Sequence, residues 1–533
     1  MRCETVDFLD FYAVLWYNTC MKDAQNLAQI IAEKDQKIAE LEQRNQWLLD
    51  QLLLFRHRQF GARSEKSTEI IGGHQLSLFN EVEAEAAVLV PEPKIKQVKA
   101  HYRKKSRLTT DRLPPDLPVE IIEHELPADE QHCPGCGESL HAMGREVREE
   151  LKFVPAHAVI VRHIRHVYAC RCCEKNSDRV PVIKAPIPAP VIKGSFASPN
   201  AVAHIAYEKF VMGTPLYRQE QDWNRKGIDL SRQTMSNWLI RATRDWLLPI
   251  YDELKNRLQK QQLLHADETT VQVLHEANKP AQSKSYMWLY RTSGDSKDTI
   301  VLYDYQPDRK HNRPQEFLGD FHGYLHTDGY DGYHKLQNIT VVGCWAHARR
   351  KFDEAVKLLP EKARQTSQAM EGIRLIGQLY KLEKEFQNLS YKERFEMRQK
   401  HSKPFVDAFF NWCSGLDALP KTPLGKAAGY CLAQRLWLEN FLLDGRLEID
   451  NNRAERSIKP FVIGRKNWLF SKTPSGAKTS AVLYSIIETA KENGLNPFEY
   501  LTFVFRNAPN WDWKNKPDEL ERLLPFSATS TAT

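Results

Sequence analysis

QLLHADETTVQVL, residues 262–274, is where a chain of 533 residues passes from helical to extended texture. Leu, Val and Thr dominate this run, a composition that suits a pleated, half-buried strand. SYMWLYRTS (285–293) and TIVLYDYQ (299–306) repeat the texture, and their connectors ANKPAQSK (277–284) and SGDSKD (293–298) are rich in turn formers. Three such runs in succession predict an antiparallel meander. A helical piece around RPQEFLGDF (313–321) leads to a fourth strand at GYLHTDGY (323–330). ITVVGCW (339–345) gives a fifth before AHARRKFDEAVKLL (346–359) turns helical. This order predicts a mixed sheet flanked by helices.

Asp267 lies amid apolar neighbours in the first strand, and Asp328 stands at the end of the fourth, just before Gly329. If the fourth strand returns beside the first, these carboxylates become neighbours. Adjacent carboxylates repel unless cations lie between them, which points to hard, oxygen-preferring Mg2+ or Mn2+. Taken singly, each is as well read as an ordinary strand-end or turn aspartate, so position has to select among the 68 Asp and Glu. EIDNNRAERSIKPFVIGRKNWLF (448–470) supplies a third candidate. Asp450 or Asn451 can cap a helix there, with Glu455 in its early turns. Arg453, Arg456, Arg465 and Lys466 around it then face phosphates.

Upstream, SPNAVAHIAYEKFVMG (198–213) and TPLYRQEQDWNRKG (214–227) each read as a helix ending at Gly, and LSRQTMSNWLIRATRDW (230–246) opens on Ser231, a good N-cap. The last carries Arg232, Gln233, Ser236 and Asn237 on its first turns, as a helix-turn-helix reading helix would. Met235, Trp238 and Leu239 give it a buried side, so a purely structural role weighs equally. Two Cys-x-x-Cys knuckles, Cys133/Cys136 and Cys170/Cys173, offer four thiolates suited to tetrahedral, structural Zn2+ with no open position for catalysis. The intervening REVREELKFVPAHAVIVRHIRHVYAC (145–170) reads as a hairpin, as in a zinc ribbon. Near the N-terminus Leu27, Ile31, Lys34, Ile38, Leu41, Asn45, Leu48, Leu52 and Phe55 follow a heptad seam with Asn45 at an a position. That arrangement suits a parallel homodimer.

The net charge of +7 is mild, but Glu92 to Arg112 holds eight Lys/Arg, including Lys104 and Lys105, against two acids. Such a run serves either as a solvated linker or as a phosphate-contacting arm. No apolar stretch approaches the length of a membrane span, so a cytoplasmic protein is expected.

LHADET (264–269), HTDGYDGY (326–333), CWAHARRKF (344–352) and DNNRAERSIKPFVIGRKNWLF (450–470), in that order, resemble the IS66-family bacterial insertion-sequence transposases. FGARSEK (60–66), the cysteine knuckles and PLYRQEQ (215–221) extend the likeness from about residue 25 to residue 505. The resemblance implies an RNase H-like core whose D, D, E triad is Asp267, Asp328 and Glu455, each a ligand of two Mg2+ or Mn2+ ions. It further implies cleavage of DNA at terminal inverted repeats and 3′-OH strand transfer into target DNA, at the bacterial nucleoid, with small accessory proteins of the same element as partners. Two rival readings are a catalytically retired zinc-dependent DNA-binding protein and a nuclease that only hydrolyses.

The expected organisation is multidomain α+β. An N-terminal helix and coiled coil (1–66), an acidic then basic linker (67–117), a zinc-ribbon-like module (118–184) and a Pro-rich linker (185–197) come first. A helix-turn-helix-like segment (198–258) precedes the RNase H-like α/β core (259–352). A large all-α insertion (353–445) separates that part from the C-terminal core helices with Glu455 (446–508), and a tail (509–533) closes the chain.

Overall fold

The computed structural model describes residues 34, 37, 38, 158–169 and 182–528. The heptad seam apart from Lys34 and Ile38, the basic arm with Lys104 and Lys105, and Cys133, Cys136, Cys170 and Cys173 lie outside those residues. The chain divides into two compact units, residues 63–186 and residues 1–62 with 187–533.

In the first unit β1 (Val167–Ala169) pairs antiparallel with β2 (Val182–Lys184), Val167 opposite Lys184. The partner of β1 is therefore downstream of the second cysteine knuckle. The hairpin expected over 145–170 lies largely outside the described residues.

The second unit opens with α1 (Pro199–Phe210), α2 (Leu216–Arg225), α3 (Arg232–Ala242) and α4 (Leu248–Gln259), the last two joined by a π-helical turn, Thr243–Leu247. Ser198 and Ser231 cap α1 and α3 by accepting the amides of Ala201 and Thr234, which satisfies donors the helix itself cannot. Gly213 and Gly227 stop α1 and α2 at φ +73° and +75°, a conformation open to glycine at little cost.

β3 (Leu263–Gln272), β4 (Lys284–Thr292) and β5 (Val301–Gln306) form the expected antiparallel meander. After α5 (Asn312–Leu318) the chain crosses back, and β6 (Gly323–His326) pairs parallel to β3 on its free side; β7 (Ile339–Val342) pairs parallel to β6. The sheet order is β5-β4-β3-β6-β7. At the edge strand β5 the amides of Val301 and Tyr303 would lack partners. The hydroxyls of Thr489 and Ser485, on a helix packed over it, accept them at 3.0 and 2.7 Å.

Between β7 and the return to the sheet the chain is helical: α6 (Trp345–Lys357), α7 (Gln368–Phe386), α8 (Tyr391–Met397), α9 (Lys403–Ser414) and α10 (Pro423–Ala433). They enclose a second core around Trp345, Phe352, Phe409, Phe410 and Phe441. α11 (Asn452–Trp468) and α12 (Pro474–Glu492) then pack on the sheet, and α13 (Pro497–Asn507) packs on α1. Val191 and Ile192, in the stretch read as a linker, are buried in the main core, as are Leu523 and Leu524 in the stretch read as a tail. Apolar pairs in polar surroundings gain by covering the helices. Among the described residues no helix is long and apolar enough to cross a membrane.

Arg398 fixes the route from the insertion back to the sheet. It is wholly buried, grips Glu383 through Nε (2.8 Å) and Nη2 (2.6 Å), and donates to the carbonyls of Phe441, Asp444 and Leu447. Removing one member of such a pair leaves an uncompensated charge. We expect Arg398→Ala to destabilise the main unit by about 3–5 kcal/mol in calorimetry; a loss below about 1 kcal/mol would show that the pair is not buried in solution.

Candidate active site

The register of β3 against β6 builds the site. His265 is paired with His326, so Asp267 and Asp328 each stand two residues further along parallel neighbours. By strand alternation Asp267 lies on the same side as His265, while Asp328 stands in the turn just past the end of β6. The two imidazoles stack below them, 4.3 Å between centroids and 13° between planes, both fully buried. Burial holds both neutral: His265 is pushed down to about 3 and His326 well below its ordinary value. Asn451 ties the start of α11 to this point. Its Nδ2 donates to the carbonyl of Ala266 (2.8 Å), which leaves Oδ1 to accept from Nδ1–H of His265 at 3.0 Å. Asn451 was one of two residues expected to cap α11, but its side chain is taken by β3. Asp450, just before it, accepts the amide of Asn452 at 3.0 Å, so the helix start has no side-chain cap from Asn451 itself.

Asp267 is half-buried, and its carboxyl is held well above the ordinary carboxylate range, first by desolvation and then by the charges of Glu268, Asp328 and Glu455. The amide of Glu268, donating to Oδ1 at 2.8 Å, works the other way. Asp328 turns the chain after β6, its Oδ1 accepting the amide of Tyr330 at 3.0 Å. At Gly329 a Cβ would lie 2.6 Å from the hydroxyl oxygen of Tyr430 in α10, so glycine lets the insertion close over this turn. Glu455, in the first turn of α11, directs Oε1 to Nδ1 of His347 (3.6 Å) and Oε2 to Nη2 of Arg350 (3.3 Å). The Cys344, His347 and Glu455 ligand atoms lie within 4.8 Å of one another. Thus the field of both other triad members reaches Asp267, while the Glu455 carboxylate is turned onto α6. Trp345 is packed, donating Nε1–H to the carbonyl of Leu438.

Two features of the site were not foreseen. Glu268, almost wholly buried, is pushed up to about 7 by burial and by Asp328. Its oxygens are held by Arg309 Nε (2.7 Å) and the Tyr333 hydroxyl (2.5 Å). Glu448 pairs with Arg453 at 2.8 Å and approaches His265. The visible signal was two adjacent acids inside an apolar strand. The charges of Glu268, Asp328 and Glu455 all reach Asp267, and Glu455 Oε1 is buried without a hydrogen bond, an oxygen-rich set that suits a hard divalent cation; among the described residues, however, the three ligand atoms drawn within 4.8 Å of one another are those of Cys344, His347 and Glu455, not those of the triad.

The expected DNA-facing residues are scattered over the unit. Arg232, Gln233 and Asn237 are exposed on α3, opposite buried Met235, Trp238 and Leu239. Arg232 meets Glu220 at 3.9 Å. Arg456 and Lys466 are exposed on α11, and Arg465 is half-buried, donating to the hydroxyls of Thr269 and Thr270.

Glu268 carries a pH signature. Its ordinary value is 4.5 and its folded value about 7, so between these the folded chain holds a proton the unfolded chain has lost. Stability therefore falls as pH rises through that window, and Asp267 adds to it in the same sense. Without divalent cations, we expect Glu268→Gln to flatten the decline in unfolding free energy between about pH 4.5 and 7; an unchanged slope would contradict the assignment.

Comparison with known proteins bears on these modules. The family model described as "Transposase IS66 family" matches residues 194–479. "Zinc-finger binding domain of transposase IS66" matches 130–174, a span holding Cys133, Cys136, Cys170 and Cys173, which supports a structural Zn2+. "IS66 C-terminal element" matches 485–526 and "Transposase C of IS166 homeodomain" matches 47–122. The chain is 33% identical over 432 residues to uncharacterized protein y4jD of Sinorhizobium fredii (strain NBRC 101917 / NGR234), covering 78% of this chain and 81% of that protein. It is 31% identical over 501 residues to uncharacterized protein y4qI of the same organism, covering 89% and 88%. Among solved structures it is similar to a chain of the Drosophila P element transposase strand transfer complex, with TM-score 0.32 and 12% identity over 55% of this chain and 92% of that one. With more than half of its length matched by the first of these models, the chain belongs to the IS66 transposase family.

Proposed function

We propose that this transposase is of the DDE type, cutting DNA at the ends of an insertion sequence and joining the freed 3′-OH to target DNA. The observation that carries the reading is the carboxyl of Asp267, half-buried and raised by desolvation and by the like charges of Asp328 and Glu455. Such a group is stable as an anion only when cations join it. The sheet order, with Asp267 on the central strand and Asp328 two residues past the end of its parallel neighbour, supports an RNase H-like core.

On this reading Asp267, Asp328 and Glu455 hold two Mg2+ or Mn2+ ions. These would lower the pKa of the attacking water or 3′-OH and offset charge on the leaving oxygen. The chain's own part is placement. Asp267 and Asp328 are fixed by the sheet. Glu455, held by His347 and Arg350, would have to turn from them towards the aspartates. Arg456, Arg465 and Lys466 hold DNA flanking the scissile phosphate, and Arg453 joins them on leaving Glu448. The exposed edge of α3, with Arg232, Gln233 and Asn237, reads a groove, and the arm with Lys104 and Lys105 adds sequence-independent contacts. Cys133, Cys136, Cys170 and Cys173 hold a structural Zn2+ in the upstream module. The N-terminal heptads pair two chains so that both ends are cut together.

The test is a strand-transfer assay with Mg2+ and a duplex carrying the element's end. Asp267→Asn, Asp328→Asn and Glu455→Gln should each lower cleavage by about three orders of magnitude while sparing end binding. Asp267→Asn should not lower the melting temperature, since it removes a charge that burial disfavours. Nicks without joined products from the unaltered chain would indicate a nuclease, and binding without cleavage a retired enzyme. Loss of end binding in all three variants would show the acids to be structural.

A further inference from the structure

Arg309 lies in the connection between β5 and α5, and its side chain is held on three sides. Nε and Nη2 both donate to one oxygen of Glu268, Oε1. The guanidinium lies over the ring of Tyr330, 3.8 Å from its centroid, and the Tyr330 hydroxyl donates to the Arg309 carbonyl. The third neighbour is Asp328, whose Oδ2 is 3.9 Å from Nη2, too far for a hydrogen bond.

This is not how an arginine serving only as a counter-ion is usually arranged. A fork closed on a carboxylate uses both carboxylate oxygens. Here the second oxygen of Glu268 is taken by Tyr333, so the guanidinium meets Oε1 side-on. Nη1 then has no hydrogen-bond partner among the described residues. The adjacent acid, Asp308, does not compete for it, being engaged by Arg313 at 3.0 Å through both its oxygens. With 38% of its side chain exposed, Arg309 keeps an open edge beside Asp328 while its other side is anchored to a nearly inaccessible carboxylate.

We propose that Arg309 is a further catalytic residue of this centre, presenting its Nη1 donors to a non-bridging oxygen of the DNA phosphate brought up to Asp267 and Asp328, with Glu268 and Tyr330 as the residues that position it. The inference rests on the transposase reading above and adds a substrate contact to it. A planar donor fixed in advance favours the charge that builds on the phosphoryl oxygens during displacement. Glu268 acts through Arg309 and not on the DNA. Arg350, 3.3 Å from Glu455, gives the third acid its own cation, so the acids are flanked by arginines from two different elements.

The experiment uses the full chain, Mg2+ and a duplex bearing one terminus of the DNA element that encodes it, under single-turnover conditions. Arg309→Met should slow cleavage about a hundredfold and leave the dissociation constant for the duplex within about threefold, since one phosphate contact is a small part of end binding. Arg309→Lys should recover only part of the rate, because an ammonium lacks the planar fork. Arg309→Met leaves Glu268 unpaired and can weaken the fold, so the deciding variant is Arg309→Met with Glu268→Gln, which removes both charges. We expect that double variant to regain the wild-type melting temperature and to remain as slow as Arg309→Met. A double variant that cleaves at the wild-type rate would overturn the inference, because it would show that Arg309 only neutralises Glu268. No cleavage by the wild-type chain would instead overturn the functional reading on which the inference rests.

Discussion

The parallel pairing of β3 with β6, His265 opposite His326, is the constraint on which the site depends. A strand alternates its faces, so a slip of one residue would send Asp328 to the side away from Asp267. Several features oppose such a slip. The two buried imidazoles stack, Asn451 joins one of them to the backbone of β3, and the Glu448 amide approaches Nε2 of the other at 3.4 Å. The two imidazoles and Asn451 are deeply buried, where an unmatched partner would cost about 1–3 kcal/mol.

Around this register the fold spends stability on function. Asp267 and Glu268 would each be better placed in water, and burial raises both. Distant contacts offset that penalty. Thr489 and Ser485 satisfy the edge of β5, Arg398 pins the return from the insertion, and the main core runs from Val191 to Ala528. Polar residues in the interior thus divide into two kinds. Arg398 is matched on every side, whereas the acids at the sheet's end are matched only in part.

Much of this was legible in the sequence, for identifiable reasons. The strands announced themselves through runs such as SYMWLYRTS, whose buried residues leave little room for another reading. Ser231 caps α3 as its position suggested, and the order of strands in the sequence alone placed Asp267 near Asp328. What escaped depends on long-range geometry. That Asn451 would leave its helix end for His265, 186 residues away, has no local signature. Neither has the grip of Arg309 on Glu268, which needs the turn after β5 to fold over the middle of β3. Val191 and Ile192 were hidden among prolines that argue against regular structure but not against burial.

The central claim is that Asp267, Asp328 and Glu455 share divalent cations when DNA is bound. It is tested most directly by anomalous diffraction from crystals of the full chain with its end DNA and Mn2+. The account requires Mn2+ peaks bridged by carboxylate oxygens of Asp267 and Asp328, with Glu455 turned from His347 to join them. Mn2+ bound elsewhere, with Asp267 making no metal contact and Glu455 still on α6, would contradict it.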